Sequence, residues 1–591
     1  MSHDVQHLRR SQFIFTYGPG AILEGKNGPR IIPSLNQGLK EYFTIENLEK
    51  FEVSDIRLSE FLKKNEDKFL KKNEKNYRVR LFSIPSNAAL NLDESKYIYE
   101  TYPFPCWKIC YGKGGKRDHL PILYLDEKRK SGKGKKGCPI CGSDKASATR
   151  FVAACPDGHL DEVPWHYLVH SKRTGCNSRY FYWKIEGPSI ADIKVECPKC
   201  RQSSSLSDIY RRKFRCTGKF PENGEGNRGS EICELEMKTI QRQSTSLRIP
   251  VTLTLVKIPY KNKLDEILED SEFRFKLSGI IEINENKEKL ISYIRKNYEE
   301  YHDVIVNFIQ ERGYSKFCEY VLNFAESKTE DPLADEFQAL REMQSSKILS
   351  MGKPVNFSVN SQLSLKIIPV RKLKLTTVQI GYFRSPYLKK NENSEVLQPR
   401  IVRTGARDAL SGTWWYPAFE SAGEGLFITA DVSTGDLSSP DVLQEWNEKN
   451  LIHDEILRKN RRVTPEFVWW HTLSHALIRA VSLYSGYASA SIRERVYSDG
   501  SHGGILLYSS SIGDECSMGG LSGCASESRF DEIWKIAMKD LEFCSNDPIC
   551  HQNRISERNY NGSACHSCLM ISETSCEHRN RWLDRHLVLG D

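Results

Sequence analysis

The sequence lacks the hydrophobic segments that membrane insertion or secretion requires. Its mean hydropathy is −0.52, and it contains no run of the ~18 consecutive apolar residues that form a membrane span. The N-terminal stretch MSHDVQHLRR has no apolar core of the kind found in signal peptides. These absences argue against a helical membrane protein or a secreted one, and we expect a cytoplasmic protein with no membrane partner.

The signatures of common hydrolases are missing or incomplete. Residues 20–27 read GAILEGKN and match the phosphate-binding pattern G-x4-G-K. However, Asn27 stands where that motif needs a Ser or Thr hydroxyl for magnesium. There is also no G-x-S-x-G nucleophile elbow. We therefore expect neither an ATPase nor a serine hydrolase.

One histidine pair keeps an enzymatic alternative open. His471 and His475 have the i, i+4 spacing of a helical metal-binding pair, but Thr472 replaces the Glu of a H-E-x-x-H protease. Packing of both histidines on a helix face is the favoured interpretation. The alternative is a zinc-dependent nuclease or hydrolase that uses the pair with a carboxylate such as Glu466 or Glu494.

Cysteine is abundant and unevenly distributed. The chain has 591 residues, enough for several domains, and 18 cysteines. Ten lie from Cys106 to Cys233 and seven from Cys516 to Cys576, with Cys318 alone between them. In a reducing compartment, paired thiols indicate metal binding or catalysis rather than disulfides.

The spacing of these cysteines predicts three zinc ions. Each predicted site contains a C-x2-C knuckle, in which a tight turn directs two thiolates at one ion, and two further ligands. The predicted sets are Cys138, Cys141, Cys155 and His159; Cys197, Cys200, Cys216 and Cys233; and Cys550, Cys565, Cys568 and Cys576. Closed sites of this kind stabilise a fold and leave no position for a catalytic water.

Several residues compete for these positions. Cys110, His119 and Cys176 are alternative ligands for the first predicted zinc site, in the cysteine-rich region from Cys106 to Cys233. Cys544 is the alternative to Cys550 in the C-terminal site. The remaining cysteines are Cys106, which stays a spare candidate, and Cys318, Cys516 and Cys524, which we expect to be packing residues.

Hydrophobic periodicity predicts a multidomain α+β protein with zinc-ribbon-like insertions, a helical middle segment and a C-terminal mixed α/β zinc domain. The predicted regions are 1–105, mixed; 106–245, basic with two zinc sites; 246–350, a strand and acidic helices; 351–450, rich in strands; and 451–591, with the third zinc site. Strands are predicted at 13–17, 246–259, 370–383 and 425–432, and helices at 59–77, 290–294, 301–309, 317–324, 333–343 and 471–484.

Positive charge is concentrated beside the first cysteine island. From Lys113 to Lys136 the sequence has nine Lys or Arg residues against three acidic ones, within a net charge of +8 for the chain. A clustered basic surface is the electrostatic signature of nucleic-acid binding, although solvated loops can have the same composition. The candidate DNA contacts are Lys113, Lys116, Arg117, Lys128, Arg129, Lys130, Lys133, Lys135, Lys136, Arg211, Arg212, Lys213 and Arg215.

Several segments together resemble the DrmB family, the helicase-partner subunits of the DISARM anti-phage system. They are RRSQFIFTYGPGAIL at 9–23, RFVAACPDGHLDEVPW at 150–165, SLRIP at 246–250, VRKLKLTTVQIGYFR at 370–384, WYPAFESAGEGLFI at 415–428 and HTLSHALIRA at 471–480. The segments at 503–521 and 564–585 are similar to a zinc-binding domain associated with superfamily 2 helicases.

The resemblance implies a non-catalytic accessory subunit in a heteromeric complex. It would bind a helicase subunit resembling DrmA and help it to engage foreign DNA. One feature departs from the family pattern, because Lys113 stands where a second knuckle cysteine would follow Cys110. A scaffold subunit that makes no DNA contact remains a further alternative.

Overall fold

The computed structural model describes most of the chain. The residues that it does not describe are 1–4, 40–41, 43–47, 67–77, 113–118, 127–136, 171–174, 225–232, 284–285, 325–330, 385–398, 406–412, 435–436, 454–460, 500–501, 512–518, 557–558 and 591.

The chain forms two compact units, each built from separate stretches of sequence. The first consists of Met1–Val53, Asn65–Thr252 and Val378–Phe419, and the second of Ser54–Lys64, Leu253–Thr377 and Glu420–Asp591. Both units contain helices and strands, so the predicted multidomain α+β class is confirmed. The five regions drawn from the sequence stay a prediction.

The strands are β1 (Ile22–Gly25), β2 (Gly28–Ile31), β3 (Arg78–Phe82), β4 (Tyr102–Pro103), β5 (Trp107–Cys110), β6 (Ile122–Leu125), β7 (Ser147–Ala148), β8 (Phe151–Ala154), β9 (Leu160–Asp161), β10 (Tyr180–Ile185), β11 (Ile193–Glu196), β12 (Ser203–Ser205), β13 (Lys213–Arg215), β14 (Glu236–Gln241), β15 (Ile249–Val256), β16 (Leu349–Met351), β17 (Val355–Ser358), β18 (Ser364–Phe383), β19 (Arg400–Ile401), β20 (Thr404–Gly405), β21 (Thr413–Ala430), β22 (Arg493–Ser498) and β23 (Gly503–Ser511).

The α-helices are α1 (Arg10–Phe15), α2 (Leu35–Gly38), α3 (Ile56–Glu66), α4 (Trp165–Val169), α5 (Leu206–Arg211), α6 (Lys263–Leu268), α7 (Ser271–Ile283), α8 (Lys287–Asn297), α9 (Glu299–Arg312), α10 (Tyr314–Asn323), α11 (Pro332–Arg341), α12 (Pro440–Glu448), α13 (Pro465–Ser485), α14 (Glu527–Glu542) and α15 (Arg585–Leu589).

Small antiparallel sheets make up most of the first unit. One has the strand order β1-β2-β4, a second β12-β11-β10-β6-β5-β7, and a third β13-β14-β8-β9. The last two sheets and helices α4 and α5 share one apolar core, which includes Trp165, Phe181 and Val195. Cys155, Cys197 and Cys216 belong to this core, so the first cysteine-rich region contributes to the core of the unit.

The second unit contains two different architectures. Helices α6 to α10 pack against one another around Leu277, Ile294 and Phe317, as their predicted periodicity requires. In the other part, β23 pairs antiparallel with β22 and with residues 422–429 of β21. Helices α13 and α14 and the C-terminal residues share a core with these strands, and Trp470 and Leu507 lie within it.

Helix α13 is the central element of that core. It begins at Pro465, where the side chain of Thr464 accepts a hydrogen bond from the backbone N–H of Phe467 at 3.2 Å. It ends before Gly486, whose φ of +74° is the left-handed conformation that terminates a helix. Apolar and polar residues are buried on every side of the helix, including His471.

The structure confirms most of the predicted elements. The strands at 246–259, 370–383 and 425–432 correspond to β15, β18 and β21, and the helices predicted between 290 and 343 correspond to α8 to α11. The strand predicted at 13–17 is wrong, because helix α1 occupies residues 10–15. Its single turn buries Phe13 and Ile14, and the Gln12 side chain accepts the N–H of Arg9 at 2.9 Å.

The described part of the chain contains no helix with the length and apolar character needed to cross a bilayer.

Candidate metal centres

The first cluster contains Cys110, His119, Cys138 and Cys141. Cys110 ends β5 and His119 precedes β6, and the antiparallel pairing of these strands brings the two side chains together. The Sγ atom of Cys141 lies 3.7 Å from Sγ of Cys110 and 3.3 Å from Nε2 of His119. Nδ1 of His119 lies 2.6 Å from the carbonyl oxygen of Leu120, which leaves Nε2 for the thiols.

The second cluster contains Cys155, His159, Cys216 and Cys233. Cys155 and His159 flank the turn from β8 to β9, and the two other cysteines lie in the connection from β13 to β14 of the same sheet. Sγ of Cys155 lies 3.2 Å from Nδ1 of His159 and 3.6 Å from Sγ of Cys216. The His159 ring packs against Phe220 with a centroid separation of 4.4 Å, which fixes its orientation.

The third cluster contains His170, Cys176, Cys197 and Cys200. Sγ of Cys176 lies 3.5 Å from Sγ of Cys197. Nδ1 of His170 lies 2.9 Å from the carbonyl oxygen of His166, so this nitrogen carries the proton. Nε2 of His170 is buried and makes no hydrogen bond within the described residues. A metal ion would give this buried lone pair the partner that it otherwise lacks.

The knuckles of the first and third clusters have the same backbone turn. In both, the N–H of the first cysteine, Cys138 or Cys197, donates at 2.8 Å to the carbonyl five residues later. In both, the fourth residue after that cysteine has a left-handed conformation, with φ of 69° at Gly142 and 63° at Arg201. The sequence predicts both turns correctly from C-x2-C alone, because the turn is a local structure.

The fourth cluster contains Cys544, Cys550, Cys565 and Cys568. Sγ of Cys565 lies 3.5 Å from Sγ of Cys544 and 3.8 Å from Sγ of Cys568, and Sγ of Cys550 lies 3.8 Å from Sγ of Cys568. Asn546 donates its backbone N–H to Sγ of Cys544 and its side-chain amide to Sγ of Cys565, both at 3.4 Å.

These separations fit metal coordination and not disulfide bonds. Four sulfurs at ~2.3 Å from a tetrahedral zinc ion lie about 3.8 Å apart, whereas bonded sulfurs lie about 2.0 Å apart. The thiol pairs described above are separated by 3.5 to 3.8 Å. All cysteines in the described part of the chain are free thiols.

The clusters combine the predicted ligands differently from the sequence analysis. The first cluster contains Cys138 and Cys141 but not Cys155 or His159, which lie in the second cluster. The prediction assumed that each knuckle binds with the next ligands along the chain. Strand pairing instead brings the first knuckle next to Cys110, at the end of β5.

The second predicted set is divided in the same way. Cys197 and Cys200 lie in the third cluster, whereas Cys216 and Cys233 lie in the second. His170 was not considered from the sequence. The signal that could have found it is Cys176, an alternative ligand that needs partners and follows His170 by six positions.

The predicted C-terminal set differs by one residue. Cys544 is the fourth member of the cluster, and Cys576 lies elsewhere. Cys544 was omitted because Cys550 is nearer to the knuckle along the chain, but the segment after α14 turns back and places both Cys544 and Cys550 beside that knuckle. Cys318 and Cys524 pack in apolar clusters as predicted, and Cys516 lies outside the described residues.

Comparisons with known proteins agree with this picture. Residues 9–249 match a family model described as a domain of unknown function (DUF8724), and residues 473–569 match the MrfA Zn-binding domain. The chain is 28% identical over 545 residues to the DISARM protein DrmB of Bacillus paralicheniformis, covering 82% of this chain and 88% of that protein. The chain is a homologue of DrmB.

The DrmB homology extends over far more of the chain than either family model. Among solved structures, the DUF1998 helicase MrfA bound to DNA matches with a TM-score of 0.18 and 11% identity. That match covers 33% of this chain and 21% of the helicase, so the chain spans about a fifth of it. The match to a zinc-binding domain and the Cys/His clusters together indicate zinc as the cofactor.

One thiol in each of the four clusters has a lowered pKa, which favours the thiolate form that binds metals. Burial raises the pKa of Cys141, Cys197 and Cys565, but N–H donors directed at their sulfurs lower it to about 7, 6 and 6 respectively. The hydrogen bond between the Cys216 and Cys155 thiols lowers the pKa of Cys216 to about 4.

The structure describes only part of the predicted DNA surface. Arg211, Arg212, Lys213 and Arg215 are exposed, at the end of α5 and along β13. Phe214, between Lys213 and Arg215, is 6% exposed and packs in the core. The candidates outside the described residues are Lys113, Lys116, Arg117, Lys128, Arg129, Lys130, Lys133, Lys135 and Lys136.

The residues of the alternative hydrolase site are buried. His471, His475 and Glu494 have no exposed surface. Glu466 is also buried, and its Oε1 accepts hydrogen bonds from Trp470 Nε1 at 2.8 Å and from the Thr434 hydroxyl at 3.0 Å. Glu466 therefore organises the start of α13, and the geometry does not favour a substrate site at these residues.

Proposed function

We propose that this protein is a non-catalytic accessory subunit of a superfamily 2 helicase complex in DISARM-type bacterial defence. The observation that carries the proposal is the similarity to the DISARM protein DrmB over 82% of this chain and 88% of that protein. In this role the protein binds a helicase subunit resembling DrmA in the cytoplasm and helps it to engage foreign DNA. Burial of the residues proposed for hydrolysis supports the accessory role over the enzymatic alternative.

Zinc in this proposal has a structural role in both units. The four Cys/His clusters hold one ion each, where the sequence analysis predicted three ions for the chain. Each cluster offers four nitrogen or sulfur ligands, which completes a tetrahedral site and leaves no open position for a reacting water. The ions therefore stabilise the loops that connect the small sheets and do not take part in chemistry.

DNA contacts on the first unit are expected around β13. Lys213 and Arg215 alternate with the buried Phe214, so both basic side chains lie on the solvent face of the strand. Register pairing places Lys238 of β14 directly opposite Lys213, and both are exposed. Like charges opposite each other destabilise a sheet unless an anion offsets them. The exposed Glu236 lies 3.4 Å from Lys213 and offsets part of this repulsion, and a DNA phosphate would offset the rest.

Replacing Arg211, Lys213 and Arg215 together with Gln is expected to weaken DNA binding by the purified complex. Each phosphate contact contributes about 0.9 to the slope of log affinity against log salt, so loss of three contacts reduces the slope by up to about 2.7. The measurement is fluorescence anisotropy with labelled duplex DNA at several salt concentrations.

A matched control replaces three exposed lysines of α8, Lys287, Lys289 and Lys296, with Gln. These lysines lie in the acidic helical region, and their replacement should leave the salt slope unchanged. Equal affinities for the two variants would contradict the β13 surface. Unchanged helicase affinity for DNA when the whole subunit is omitted would instead support the scaffold alternative.

A further inference from the structure

A fifth group of metal-binding side chains lies in the core of the second unit. His471 and His475 come from α13, Glu494 from β22, and Cys576 from the segment before α15. One ligand atom from each side chain lies within 4.8 Å of all the others. The two histidines and the glutamate have no exposed surface, and Cys576 is 4% exposed.

Hydrogen bonds define which ring nitrogens carry protons. Nδ1 of His471 lies 3.2 Å from the carbonyl oxygen of Trp582, and Nδ1 of His475 lies 2.9 Å from that of Leu569. A carbonyl oxygen can only accept a hydrogen bond, so both Nδ1 atoms are protonated. In a neutral imidazole, Nε2 is then an acceptor with a lone pair.

Both Nε2 lone pairs point at a single acceptor. Oε1 of Glu494 lies 2.9 Å from Nε2 of His471 and 3.4 Å from Nε2 of His475. Nε2 of His475 is buried and has no hydrogen-bond partner among the described residues. Three acceptors that face one another in a dry core repel each other unless a cation lies between them.

The sulfur of Cys576 also lies against one of these imidazole nitrogens. Sγ of Cys576 lies 3.4 Å from Nε2 of His471. It also accepts the backbone N–H groups of His578 at 3.3 Å and Asn580 at 3.2 Å. Burial and the nearby Glu494 carboxylate nevertheless raise the pKa of this thiol, so a cation between the four side chains is what would stabilise the thiolate that coordinates a metal.

We infer that these four side chains bind one zinc ion in a closed structural site. The charges balance, because the carboxylate of Glu494 and the thiolate of Cys576 together neutralise a divalent ion between two neutral imidazoles. A neutral site avoids most of the cost of burying charge in an apolar core. Two nitrogens, one oxygen and one sulfur form a donor set that zinc accepts in tetrahedral geometry.

Surrounding residues hold the ligands in place. The two backbone carbonyls orient the imidazole rings, as such partners do in known metal sites. The hydroxyl of Ser474 hydrogen-bonds to Oε2 of Glu494, which leaves Oε1 for the ion. The site thereby joins α13, β22 and the C-terminal segment. The MrfA Zn-binding domain match at 473–569 includes neither His471 nor Cys576, so it does not account for this site.

The test is the zinc content per chain, measured by elemental analysis and native mass spectrometry on full-length protein produced with excess zinc. Cys576→Ser is expected to contain one zinc ion fewer than the wild-type chain. The control is Cys524→Ser, which replaces a buried thiol of the same unit that belongs to no cluster. The control should keep the wild-type content.

Glu494→Gln provides a second variant if Cys576→Ser does not fold. The neutral amide has nearly the same shape but is a poor zinc ligand, so this variant should also lose one ion. Wild-type zinc content in either folded variant would overturn the inference. A proton shared among these side chains would then be the positive charge that the cluster holds. Because the readout is a difference of one ion, it does not depend on DNA binding or on metal in the other clusters.

Discussion

Cys568→Ser is expected to destabilise the second unit severely. Sγ of Cys568 lies 3.8 Å from Sγ of both Cys550 and Cys565, and Cys568 is 2% exposed. A structural zinc ion contributes about 10–16 kcal/mol in small domains, whereas a whole domain is stable by only about 5–15 kcal/mol. Loss of the ion from the fourth cluster therefore removes most or all of the stability of this unit.

The measurement for Cys568→Ser is soluble yield, zinc content and thermal melting followed by circular dichroism. We expect insoluble protein or a melting temperature lowered by more than about 10 °C, since 1 kcal/mol corresponds to about 2–4 °C in a domain of this size. Cys318→Ser is the control, because this half-buried thiol packs against helices and belongs to no cluster. A Cys568→Ser protein that melts like the control would contradict the structural role of the fourth cluster.

Arg495→Met is expected to destabilise the second unit by about 3–5 kcal/mol, the typical cost of leaving one partner of a buried ion pair unpaired. Nη1 of Arg495 lies 2.9 Å from Oε2 of Glu336, and neither side chain has exposed surface. The same carboxylate accepts the N–H of Val256 at 2.8 Å and the hydroxyl of Tyr497 at 3.1 Å. These two hydrogen-bond donors remain in the variant, but the positive charge of Arg495 that faces the Glu336 carboxylate is lost.

Chemical denaturation of the unit, followed by Trp fluorescence, measures this loss. The control is Lys535→Met, which breaks the exposed pair with Asp531 and should leave the unfolding midpoint unchanged. Arg495 also pairs with Glu577 at 2.6 Å, but that carboxylate is 28% exposed and can be hydrated in the variant. Adding Glu336→Gln to Arg495→Met removes the fully buried unpaired charge and should restore part of the stability. If Arg495→Met and Lys535→Met unfolded at the same denaturant concentration, the buried ion pair of Arg495 and Glu336 would not be important for the stability of the unit.

The sequence predicts the parts of the metal centres that depend on neighbouring residues. The three C-x2-C knuckles and the helix that carries His471 and His475 are local patterns, and the structure contains all of them. The partners of each knuckle depend on strand pairing, which brings together residues distant in the chain. Cys110 and Cys544 illustrate this limit, since both were recognised as alternatives that only the fold could select.

Burial of the histidine pair was predicted, but the surroundings of the pair were not. His471 and His475 lie inside the core, in accordance with the packing interpretation. Glu494 was considered only as a carboxylate for an enzyme, and Cys576 only as a ligand of the predicted C-terminal zinc site. Their meeting depends on a backbone hydrogen bond between β22 and the C-terminal segment, from Glu494 to Ser575 at 3.1 Å. No spacing in the sequence encodes that contact.

The third cluster is nested within the second along the chain, so the ligands of the two clusters leave the ribosome in a fixed order. All four ligands of the third cluster, from His170 to Cys200, precede Cys216. The third cluster therefore has all its ligands while the growing chain still lacks Cys216 and Cys233, the last two ligands of the second cluster. Until Cys216 and Cys233 emerge, Cys155 and His159 lack their partners in the second cluster, and the thiols of the third cluster are the ones that could compete for them. Early metal binding by the third cluster would occupy its three cysteines and so remove them from that competition.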